Sequence, residues 1–167
     1  VRIRRHPKAA TETRCTDVRD QSEVVLNDRT FKFDRAFDES MTQAHVFDEV
    51  GRPTLDAVLQ GYNGTILAYG QTGSGKTYTM AGGEGAAEGL MPRLLAEAFG
   101  ELARRQRAGD GSFYRCTCSY LQIHNEQITD LLSPSSSSSS SLRIRETADR
   151  STYVEGLREL RLRSATD

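Results

Sequence analysis

The sequence predicts an α/β fold in which a central mixed β-sheet carries helices on both faces. Three observations predict it. Residues 70–80 read GQTGSGKTYTM, with Gly70 and Gly75 five apart and Lys76 and Thr77 directly behind, which satisfies G-x-x-x-x-G-K-[ST]. An apolar, strand-like run, Ile66, Leu67, Ala68 and Tyr69, stands immediately before it. A helix-permissive run follows, so strand, glycine loop and helix come in the order that a P-loop NTPase core requires.

The chemistry explains the residue types. Glycines let the backbone fold back so that successive N–H groups converge on phosphate oxygens. A helix beginning near Lys76 adds its positive end. Lys76 is placed to reach β- and γ-phosphates, and the Thr77 hydroxyl to hold Mg²⁺. The competing reading, a flexible Gly/Ser/Thr linker, explains neither the spacing nor the flanks.

The chain has 167 residues with 37% apolar and 27% charged content, which suits one globular domain or part of a larger one. Net charge is −1, from 22 Lys+Arg against 23 Asp+Glu, so no global field announces a nucleic-acid or membrane partner. No apolar segment approaches spanning length, and membrane insertion is not expected. Cys15, Cys116 and Cys118 form no C-x-x-C, and an intracellular, reducing setting is expected. Residues 164–167 (SATD) have the form that starts a helix, so the expectation is a chain that continues beyond Asp167.

Taken in order, residues 1–4 alternate as a short strand, and a polar loop with Pro7 runs on to Asp20. Residues 24–33 read as a hairpin turning at Asn27-Asp28, with Phe31, Phe33 and Phe37 filling the core. Ser40 is the expected N-cap of a helix reaching Leu59, broken midway by Gly51 and Pro53. Residues 61–64 turn into the strand 65–69. The helix after Lys76 gives way to glycines at 82, 83, 85 and 89; helical spacing resumes after Pro92 and ends in Arg104, Arg105 and Arg107, a solvated helix end.

Residues 113–123 alternate as one strand, with Cys116 and Cys118 on one face, and residues 125–132 form a helical or turn segment. The serines of residues 133–141 predict a flexible surface loop. Residues 142–145 and 153–162 read as two further strands.

A phosphate loop does not by itself hydrolyse. An acidic residue after an apolar strand must order Mg²⁺, and another group must position water. Asp48 falls in a helix and Asp130 in a polar context, and N-K-x-D is absent, so no catalytic residue is assigned in this chain.

The block GYNGTILAYGQTGSGKTYTM resembles the kinesin motor domain. FKFDRAFD, VLQGYNG, GLMPR, SYLQIHNEQITDLL and LRIRETADRSTYVEGL follow the same family's order, so the likeness runs the length of the chain and over the first half of a motor domain. The resemblance implies residues 1–167 as the N-terminal part of that domain, residues 65–80 as its strand–loop–helix core, and ATP or ADP with Mg²⁺ as ligands. The family's switch motifs would lie beyond Asp167.

Residue by residue, the resemblance implies nucleotide contacts from Gly70, Gln71, Thr72, Gly73, Ser74, Gly75, Lys76 and Thr77, with Mg²⁺ on Thr77. Tyr78 stands where the family sets His or an aromatic residue against adenine, with core packing as the competing role, and Arg2 and Arg4 match the arginines of its R-x-R-P. Arg5 takes the proline's place, with Pro7 displaced, and Gln122 and His124 stand where Glu and Tyr are usual; His124 is expected as a packing residue. Arg145 and Arg150 fall on a loop that approaches tubulin. The implied function is a microtubule motor of the cytoplasmic cytoskeleton, with oligomeric state and coiled coil set by regions outside this chain. The alternative is a non-motile microtubule-binding module.

Overall fold

The computed structural model describes residues 1–4, 16–109, 113–133 and 141–167. Arg5, Pro7, Cys15 and all of the serine loop except Ser133 and Ser141 lie outside the described residues. Two compact units are present, Val1–Glu101 and Leu102–Asp167.

In the first unit, β1 (Thr16–Arg19), β2 (Glu23–Leu26) and β3 (Arg29–Lys32) form an antiparallel meander. The hairpin at Asn27-Asp28 is as expected, with Asn27 at φ 51 and Val24 opposite Phe31. Two expectations are corrected here. The supposed loop before Asp20 contains β1, whose alternating Asp17, Val18 and Arg19 is strand-patterned. Of the three phenylalanines only Phe37 is buried; Phe31 and Phe33 stay exposed, on and just after the outer strand.

The core sits elsewhere, among Phe37, Val46, Phe47 and Leu90, with Met41, Val50, Ile66, Met80 and Leu94 packed against them. α1 (Gln43–Val46) is capped by Thr42, not Ser40: the Thr42 hydroxyl accepts from the His45 amide at 3.2 Å, while Ser40 donates to Asp38. The break before Pro53 is a π-helical turn, Phe47–Gly51, leading into α2 (Arg52–Leu59). Pro53 has no N–H to give the preceding turn, and the Arg52 amide bonds the Phe47 carbonyl five residues back instead. Gly51 lets the turn close on its own Phe47, whose ring a Cβ would meet at 2.5 Å.

Residues 65–69, expected as a strand, pair with no other strand among the described residues. They do alternate: Ile66 and Ala68 turn inward, while Leu67 is 84% and Tyr69 94% exposed. Apolar alternation marks a segment suited to a sheet, but the ladder itself needs neighbours. α3 (Lys76–Met80) follows the loop, and α4 (Leu90–Arg107) starts two residues before Pro92 and ends in arginines as expected. Between them residues 81–89 fold tightly on themselves, through the Gly82–Glu88 bridge and the amide of Gly89 on the Ala81 carbonyl. Arg93 pins that turn by donating to the carbonyls of Glu88 and Ala86. The N-terminal segment runs parallel to Phe37, with Ile3 donating to the Phe37 carbonyl and Phe37 to that of Val1.

In the second unit the expected strand 113–123 is two: β4 (Cys116–Cys118) and β5 (Leu121–His124). β4 pairs with β9 (Leu160–Leu162) and β5 with β6 (Gln127–Asp130), so the chain changes partner at Ser119-Tyr120. Cys116 and Cys118 share the half-buried face, as alternation requires. The helical or turn segment at 125–132 is the turn and strand of a hairpin: Asn125 and Glu126 both have positive φ, the signature of a type I′ turn. His124, expected to pack, is exposed at the strand end. β7 (Arg143–Glu146) and β8 (Thr152–Glu155) form the last hairpin, and Gly156 at φ 79 separates β8 from β9.

Candidate functional site

Residues 70–75 link the apolar run 65–69 to α3. The turn closes through the Ser74 amide on the Gln71 carbonyl at 3.2 Å. Gly73 at φ 80 and Gly75 at φ 96 hold left-handed conformations that a side chain resists, and Gly75 is the residue that caps α3. A Cβ at Gly70 would stand 2.6 Å from the Ser74 hydroxyl, so glycine leaves room for that side chain at the start of the loop.

Lys76 folds back over this turn. Its Nζ donates to the carbonyls of Gly70 at 2.8 Å and Gln71 at 2.9 Å, which sets a cation across the loop. Thr77 is exposed at the start of α3, and Gln71, Thr72, Gly73 and Ser74 are exposed along the loop. Beside them lies a cavity of ≈ 360 Å³, bordered by Arg2, Arg4, Gly70, Gly75 and Lys76 and floored by apolar residues including Ile66. That size and mix of an apolar floor with a few convergent polar groups is typical of small-molecule sites.

The N-terminal arginines stand over α3. The Arg4 guanidinium lies 3.5 Å from the centroid of the Tyr78 ring and the Arg2 guanidinium 5.4 Å. Arg4 also covers Gly75, where an added Cβ would meet its Nη1 at 2.7 Å. Arg2 is held by Gln43 Oε1 at 2.7 Å and Thr79 Oγ1 at 3.1 Å. Burial first, and then the charge of Arg4, push Arg2 below the ordinary guanidinium value, while Tyr78 acts in the opposite sense.

The sequence-predicted residues Arg2, Arg4 and 70–78 are thus gathered in the first unit. Arg145 and Arg150 belong to the second, in the β7–β8 hairpin: Arg145 donates to Glu155 at 2.9 Å across the strands, and Arg150 sits exposed in the turn at φ 66. Sequence reasoning missed Gln43, Thr79 and Arg93, whose partners lie across the fold or on backbone carbonyls.

These groups fit an ATP-type ligand. The loop's left-handed glycines and the Lys76 ammonium suit a phosphate chain, and the hydroxyl of Thr77 is an oxygen ligand suited to Mg²⁺. Among the described residues no cluster of three or more His, Cys, Asp or Glu side chains forms a separate metal centre. No helix is long and apolar enough to cross a membrane among the described residues.

Comparison with known proteins gives one consistent answer. The kinesin motor domain model matches residues 3–167. Kinesin-like protein KIN-12B of Arabidopsis thaliana is 41% identical over 155 residues, covering 86% of this chain and 12% of that protein. Kinesin-related protein 5 of Dictyostelium discoideum is 41% identical over 162 residues, 92% of this chain and 16% of that protein. Among solved structures, a fast kinesin superposes with a TM-score of 0.86 at 32% identity, covering 99% of this chain and 48% of that one. The chain therefore spans about half of the solved motor and a small part of the curated relatives. The superposition bears out the expected α/β architecture of the P-loop NTPase type, and with the family match over residues 3–167 it establishes that this chain belongs to the kinesin motor domain family.

Proposed function

We propose that this chain is the ATP-binding part of a kinesin-like microtubule motor, which couples ATP hydrolysis to movement along microtubules in the cytoplasm. The observation that carries the reading is the phosphate loop itself: left-handed Gly73 and Gly75, with the Lys76 ammonium laid across the turn at 2.8 Å from the Gly70 carbonyl. Residues 70–77 hold the phosphates, through backbone amides and Lys76, and Thr77 holds Mg²⁺. Mg²⁺, when bound there, would supply positive charge to offset that of the phosphates. Arg2, Arg4 and Tyr78 form the side against which the base is held, with the Tyr78 ring and the guanidinium planes as stacking surfaces.

Arg145 and Arg150 are proposed as tubulin contacts. Both are exposed, Arg145 on β7 and Arg150 in the turn that follows it, and cations so placed suit an acidic partner surface. The 167 residues by themselves are proposed to bind nucleotide weakly and not to turn it over. No acidic residue in the sequence follows an apolar strand in the manner that orders Mg²⁺. The oligomeric state is left to other regions of the protein.

The test is ATPase activity of the native-length protein with and without microtubules, with Lys76→Ala alongside. Microtubule-stimulated turnover that disappears in Lys76→Ala supports a motor. Microtubule binding without turnover supports the non-motile module instead.

A further inference from the structure

Gln43 is the one buried polar side chain among the described residues, 3% exposed in α1 beside the core residue Val46. Both ends of its amide are engaged. Its Oε1 accepts from Arg2 Nη1 at 2.7 Å, and its Nε2 donates to the carbonyls of Tyr78 at 2.6 Å and Ala87 at 3.1 Å. These three partners come from three separate segments: the N-terminal stretch, α3 behind the phosphate loop, and the glycine-rich turn. A buried amide that merely satisfied itself would need no such spread.

The consequence is geometric. Tyr78 offers its ring to Arg2 and Arg4, while its carbonyl is fixed from behind by Gln43. Arg2 reaches the same amide through its guanidinium, with Thr79 as its second anchor. Two guanidiniums side by side repel, so an oriented acceptor on one of them decides where the pair stands. We propose that Gln43 is a positioning residue for the base side of the nucleotide site, setting Arg2 and Tyr78 relative to each other without touching the phosphates. This rests on the nucleotide-binding reading above.

The test compares two probes on the native-length protein with Mg²⁺ present: ATP, which needs both sides of the site, and inorganic tripolyphosphate, which needs only the loop. Gln43→Met keeps the length and removes all three hydrogen bonds. It is expected to weaken ATP about tenfold and to leave tripolyphosphate within about twofold. Should Gln43→Met melt too low to assay, Gln43→Asn, one methylene short of every partner, takes its place with the same expectation. Equal loss for both probes reduces Gln43 to a fold-supporting residue and overturns the proposal, as does no loss for either. A wild-type protein that binds neither probe overturns the nucleotide reading and this inference together, whereas a wild type that binds both leaves the variant to decide the role of Gln43 alone.

Discussion

The ammonium of Lys76 donates to the Gly70 carbonyl at 2.8 Å, closing the phosphate loop on itself from one end to the other. The second bond, to the Gln71 carbonyl at 2.9 Å, keeps the charge over the turn. A phosphate in the proposed site would compete with two neutral carbonyls for this cation, and a charged acceptor wins that competition.

Lys76→Ala is therefore expected to lower affinity for Mg·ATP by roughly 100-fold, the loss of one charge-assisted interaction with phosphate. Calorimetric titration of the native-length protein checks it. The melting temperature should change little, because among the described residues the Lys76 head group hydrogen-bonds loop carbonyls alone.

Gly75→Ala places a side chain on a backbone at φ 96 and 2.7 Å from the Arg4 Nη1. The conformational strain costs about 1–2 kcal/mol. Because Arg4 is the flexible end of a side chain, it gives way, so ATP affinity should fall together with stability. Chemical denaturation and nucleotide titration read the two effects separately.

Two further glycines separate strain from crowding. At Gly61 the φ is +99 with nothing within 4 Å of an added Cβ, and Gly61→Ala should cost about 1 kcal/mol. At Gly82 the φ is +75 and the Cβ would stand 2.2 Å from both the Ala87 carbonyl and the Gly89 amide, so Gly82→Ala should cost roughly 3 kcal/mol or more. Paired denaturation curves check the ranking.

Thr42→Ala removes the cap of α1 and should destabilise by about 1 kcal/mol, while Ser40→Ala should do much less. Thermal melts of the two variants decide which residue starts the helix.

Asp149 is held below the ordinary carboxylate value of 3.8, chiefly by the Thr147 hydroxyl and then by the amide and hydroxyl of Ser151. A depressed carboxylate favours the folded loop above its unfolded pKa, and that contribution is lost as pH falls through the lower folded value. The NMR titration midpoint for Asp149 should therefore lie under 3.8. A midpoint at or above it contradicts the hydrogen bonding described.

Sequence alone carries the glycine turn further than the sheet. The turn at residues 70–75 is legible because its constraints are local: glycines at set spacing, then Lys76 and Thr77. The Asn27-Asp28 hairpin and the helix reaching Leu59 are legible for the same reason. Gln43 is not, since its partners lie 41, 35 and 44 residues away and no local pattern announces them. Asn125-Glu126 escapes a sequence reading because a type I′ turn usually advertises itself with glycine, and here two side-chain residues adopt positive φ. Alternation in residues 113–123 is real, yet it does not reveal that the chain changes partner at Ser119-Tyr120, which depends on strands supplied from β6 and β9.

The central claim is that residues 70–77 close round a polyphosphate, and a crystal structure of the native-length protein with Mg²⁺ and a non-hydrolysable ATP analogue tests it most directly. The expected result is a triphosphate ringed by the amides of residues 73–77, with the Lys76 ammonium moved from the Gly70 and Gln71 carbonyls onto phosphate oxygens. Analogue bound elsewhere, with Lys76 still resting on those two carbonyls, would contradict the account.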